Sequence, residues 1–102
     1  MQFTLDRGKR PDEKFTIEVD FTDDMETGDT IATESVTAHD QADPATDLSA
    51  TLLENVVQAS GIVGARFKAG TDGKTYVIRY EVTTTGGDVF EHDVIVAVST
   101  TA

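Results

Sequence analysis

Asp72-Gly73-Lys74-Thr75-Tyr76-Val77-Ile78-Arg79-Tyr80-Glu81-Val82 is the stretch that decides the fold. Tyr76, Ile78, Tyr80 and Val82 recur with period two, with Arg79 and Glu81 between them. That alternation predicts a half-buried strand over Thr75 to Thr84. The preceding Gly70-Thr71-Asp72-Gly73-Lys74 reads as a hairpin-type turn, its glycines supplying positive φ. A tyrosine at the start of a strand, just after a glycine turn, fits the tyrosine corner of immunoglobulin and fibronectin type III sandwiches. There the phenol is tied back to the upstream backbone. The alternative is an ordinary half-buried strand tyrosine. Agreement between turn, tyrosine and strand favours the corner.

The rest of the chain repeats the pattern. In Lys14-Phe15-Thr16-Ile17-Glu18-Val19-Asp20-Phe21 every odd position is apolar and every even one polar. Ile62 to Ala69 places Val63, Ala65 and Phe67 on one face, with Arg66 and Lys68 opposite. Gly86-Gly87-Asp88 makes a tight turn, and Val89 to Val98 turns Val94, Val96 and Val98 inward. Thr30 to Thr37 is β-prone but loosely patterned, which suits a shorter or edge strand. His39 to Ser49 reads as a loop and is the expected mobile region or contact loop. Residues 48–58 are ambiguous between a short amphipathic helix and a strand. Counting a short strand at Phe3–Leu5, seven strands emerge, with no internal repeat. The expected fold is all-β, an immunoglobulin-like antiparallel sandwich spanning 1–102 as a single domain.

Composition narrows function. In 102 residues there is no cysteine, which excludes a disulfide scaffold, a thiolate nucleophile, a zinc ribbon and an iron–sulfur site. No apolar run suggests a signal peptide or a membrane span, so a soluble protein is expected. The net charge of −11 repels phosphate backbones and anionic lipid, so neither nucleic acid nor membrane is expected as partner. Arg7, Lys9, Arg10 and Lys14 place half of the basic residues in the first 14 positions. They mark residues 1–14 as a possible docking arm.

Catalysis finds little footing. His39 and His92 are far apart, one in the predicted loop and one in the last strand. Asp20, Asp23, Asp24, Glu26 and Asp29 form the one candidate cation cluster. They do not follow the twelve-residue calcium loop, so a solvated acidic turn is the default reading. The glycines fall at turns rather than in a phosphate cradle. No enzyme activity and no cofactor are expected.

Lys9-Arg10-Pro11-Asp12-Glu13, Phe15 to Phe21 and Gly28-Asp29-Thr30-Ile31-Ala32, followed by Gly70 to Tyr76 and Gly87-Asp88-Val89-Phe90-Glu91, resemble small immunoglobulin-like virion proteins of tailed bacteriophages. These are described as fiber–tail adaptors. Where such proteins often carry a tryptophan, this chain reads Ser35-Val36-Thr37. The resemblance implies a structural virion protein that links the tail, or the neck and collar, to a receptor-binding fiber or spike. It implies several copies per particle, assembled in the host cytoplasm, and names no catalytic residue. Candidate partner contacts are Arg7, Lys9, Arg10, Lys14, Asp43 and Asp47, with Tyr76 structural. The alternative is an immunoglobulin-like surface module that binds a glycan or another ligand.

Overall fold

The computed structural model describes residues 9–100 and the backbone of 2–4. Its strands are β1 (Gln2–Thr4), β2 (Phe15–Asp20), β3 (Ile31–Asp40), β4 (Leu53–Ala59), β5 (Ile62–Phe67), β6 (Thr75–Thr84) and β7 (Val89–Ala97). One helical turn, α1 (Ser49–Leu52), precedes β4. A four-stranded sheet in the order β1-β7-β6-β3 faces a three-stranded sheet in the order β2-β5-β4. All pairings are antiparallel except β1 with β7. With the strands lettered A to G in chain order, these are the B-E-D and C-F-G neighbours of an immunoglobulin sandwich, with the first strand beside the last.

β6 is central because its alternation puts Tyr76, Ile78, Tyr80 and Val82 into the space between the sheets. Ile17 and Val19 of β2, and Val63, Ala65 and Phe67 of β5, meet them from the facing sheet. β2 and β5 hold register through Phe15 opposite Phe67, Ile17 opposite Ala65 and Val19 opposite Val63. Slipping this register by one residue would turn all these apolar side chains outward.

Three expectations change. The turn at 70–74 does not close a hairpin, because β5 and β6 lie in different sheets and the segment crosses between them. Its glycine chemistry suits either connection: Ala69, Gly70 and Gly73 have φ of 58, 99 and 86°. The Gly73 N–H donates to Val98 O, and the Val98 N–H to Lys74 O, which fastens the crossover to the end of β7. Thr71 N–H donates to the Tyr76 hydroxyl at 2.9 Å.

β3 lies at an edge as expected, but it is ten residues long and runs on to Asp40, so the loop begins later than His39. Its loose pattern follows from its position, since only Ala38 is buried against the core. Residues 48–58 are both things in turn, one helical turn that buries Leu52 and then β4.

Candidate docking surface

The basic residues near the amino terminus do not form one surface. Arg7 lies outside the described residues. Lys9 is fully buried. Its ammonium donates to the carbonyls of Arg10 at 2.8 Å, Pro11 at 3.3 Å and Ala69 at 2.5 Å, and sits 5.4 Å from the centre of the Phe67 ring. Desolvation pushes its pKa below the ordinary lysine value, with Glu13 and Asp12 acting in the opposite sense. The Lys9 backbone is also bound, its N–H to Ala97 O and its C=O to Ser99 N–H. Lys9 is therefore part of the fold rather than a partner contact, because its three ammonium donors meet main-chain acceptors of its own chain. Arg10 and Lys14 are exposed. The described parts of 1–14 are attached to the body: 2–4 pair with β7, and Lys9 bridges to Val98.

Asp43 and Asp47 stand exposed on the loop after β3. The Asp43 carboxylate accepts the Thr46 hydroxyl at 2.8 Å. The Asp47 carboxylate accepts both the hydroxyl and the N–H of Ser49, which hold its pKa below the usual carboxylate value. Ser49 Oγ in turn accepts Ala38 N–H at 3.0 Å. At the base of the loop Asp40 accepts Ala42 N–H at 2.9 Å and the Lys74 ammonium at 3.0 Å, so its pKa also lies low. These side chains shape the loop and anchor it to β3 and to the 70–74 crossover.

The acids of 20–29 point to separate partners. Asp20 accepts the hydroxyl and N–H of Thr22. Asp24 meets His92 Nε2 at 2.6 Å, and the His92 ring, buried on β7, lies 4.8 Å from the Phe21 ring. Asp29 is lowered in pKa first by the Thr84 hydroxyl and then by the N–H groups of Thr30 and Gly86, which ties this loop to the β6–β7 turn. Among the described residues no three His, Cys, Asp or Glu side chains gather as a metal site. His39 and His92 sit on β3 and β7, with β6 between them. A cleft of about 460 Å³ opens beside Thr22, Met25, Asp29, Ile31, Gln58 and Gly61, and its one charged side chain, Asp29, is already bound to backbone.

The uneven charge seen in the sequence becomes sharper on the fold. Between Phe15 and Ala65 stand eleven acidic residues and no lysine or arginine, so the whole net charge lies there and the remainder balances eight against eight. That stretch builds β2, β3 and β4, three of the four outer strands, and both long loops. The absence of basic residues over 51 consecutive positions was the available signal. The fold is that of an immunoglobulin-like sandwich, and these eleven acids lie on three of its outer strands and the adjoining loops.

The chain belongs to the family described as podophage GP4 fiber-tail adaptor protein gp77, whose model matches residues 9–97. No curated protein matches the chain. The family makes it a bacteriophage structural protein of the tail-adaptor kind.

Proposed function

We propose that this domain joins the tail, or the neck and collar, of a podophage to its receptor-binding fiber or spike, in several copies per virion. The family match over 9–97 carries the reading. A sandwich that folds around its own core suits a passive joint. The eleven acids of 15–65 suit a neighbour with a basic surface, while exposed Arg10 and Lys14 suit an acidic one. Repetition around a symmetric tail adds avidity to an interface that one small domain makes weakly. Assembly takes place in the host cytoplasm, and the mature protein resides in the virion tail. The described aromatic rings lie in the core or pack against it, which favours the adaptor reading over a glycan-binding module.

The test is a phage carrying a deletion of the gene. Tailed particles that lack fibers, and regain them when purified protein is added, support the adaptor role. Deleted particles that keep a full set of fibers overturn it.

A further inference from the structure

The outer strands differ in how they end their sheets. An edge strand presents unpaired N–H and C=O groups, and natural proteins blunt such edges with short strands, bulges or charges. β1 spans three residues. β4 is interrupted between Glu54 and Val57, with Asn55 at φ 52°. β2 has six residues, two of them the acids Glu18 and Asp20. β3 pairs without interruption to β6 over eight residues, Thr33 to Asp40, and contains no proline or lysine.

The direction of its main-chain groups follows from bonds already made. In an antiparallel ladder alternate residues turn both N–H and C=O towards the partner strand, and the others turn both away. Ala38 donates to Ser49 Oγ and accepts from Leu48 N–H at 2.8 Å, and Asp40 O accepts Asp43 N–H at 2.9 Å. Even-numbered residues of β3 therefore face away from β6. The loop 43–49 covers Ala38 and Asp40. By the same alternation Glu34 and Val36 also turn their N–H and C=O away from β6, and among the described residues no hydrogen bond to these groups is made. This leaves two donors and two acceptors in a row, beside an exposed carboxylate.

We infer that the Glu34–Val36 stretch of β3 is the docking edge for an extended, basic segment of another virion protein, added as a further strand. The inference rests on the adaptor reading above. Main-chain hydrogen bonds supply the attachment in this mode, and side chains beside them supply the choice of partner. The edge lies inside the stretch that has eleven acids and no lysine or arginine, and it begins at Glu34. A Lys or Arg of the incoming strand therefore belongs beside Glu34. A second copy of this chain brings another net charge of −11 and is repelled.

Hydrogen–deuterium exchange of the segment 32–37 is compared between the purified protein and intact particles. Docking at this edge slows exchange there at least tenfold in the particle. Two variants accompany it. Glu34→Pro removes an outward N–H without touching the bonds to β6, as edge strands tolerate, and Glu34→Lys keeps the backbone and reverses the charge. Either folded variant is expected to fall tenfold or more in particle content. Unchanged exchange in particles that contain the protein overturns the edge alone, as does wild-type incorporation of Glu34→Lys. A dimer of the isolated protein that Glu34→Lys alters overturns the choice of partner. Absence of the protein from particles overturns both the edge and the adaptor reading.

Discussion

The Tyr80 hydroxyl donates to the carbonyl of Ile17 at 2.7 Å, joining the two sheets through the middle of the core. Tyr80 has no exposed surface, and desolvation, with Glu18 adding to it, pushes its pKa above the ordinary tyrosine value. The phenol therefore remains a donor at neutral pH. Tyr80→Phe is expected to cost about 0.5–1.5 kcal/mol, since it removes one buried hydrogen bond between the sheets. Urea unfolding checks this, with an unchanged m-value showing that the unfolded state is unaffected.

Lys9→Met is expected to destabilise by about 1–3 kcal/mol, although it removes a buried charge. Methionine fills similar space but leaves the carbonyls of Arg10, Pro11 and Ala69 without the ammonium donors. Thermal melting measures the loss. A Lys9→Met protein as stable as the parent would show that water replaces the ammonium at those carbonyls.

Asp20, Asp29, Asp40 and Asp47 all have folded pKa values below their reference of 3.8. Near that pH the unfolded chain binds more protons than the folded one, so these groups favour folding above it. Their contribution disappears as pH falls through the folded values. Stability measured by urea midpoints is expected to decline below about pH 4. An Asp40→Asn/Asp47→Asn variant should lose less over the same range, which isolates the loop from the other acids.

Gly70→Ala and Gly73→Ala separate two costs. Both positions have positive φ, which disfavours alanine by about 1–2 kcal/mol. At Gly70 an added Cβ would also lie 2.9 Å from Val98 Cγ2, whereas at Gly73 it meets nothing within 4 Å. Gly70→Ala is therefore expected to destabilise by about another 1–3 kcal/mol of overpacking, seen as the lower melting temperature of the two variants.

Much of this was legible in the chain. Tyr76 to Val82 and Phe15 to Phe21 show their strand and their buried face by period two, because a half-buried strand must alternate. The turn chemistry at 70–74 was also legible, but not the strand that follows it in space, since a hairpin and a crossover use the same glycines. Lys9 was misread as a contact because lysine is ordinarily exposed, and its acceptors come from residues 10, 11 and 69 together.

Alternation, turn residues and the absence of cysteine therefore determined an all-β sandwich without cross-links, and the distribution of acids determined which part of the chain carries its charge. These are local properties of neighbouring residues. Tertiary structure decided that the 70–74 segment changes sheets, that Lys9 is internal, and that the loop binds the outer main chain of β3 at Ala38 but, among the described residues, makes no hydrogen bond to it at Glu34 and Val36. Each of those depends on which distant main-chain groups come within hydrogen-bonding reach, and only the packed sheets bring them there.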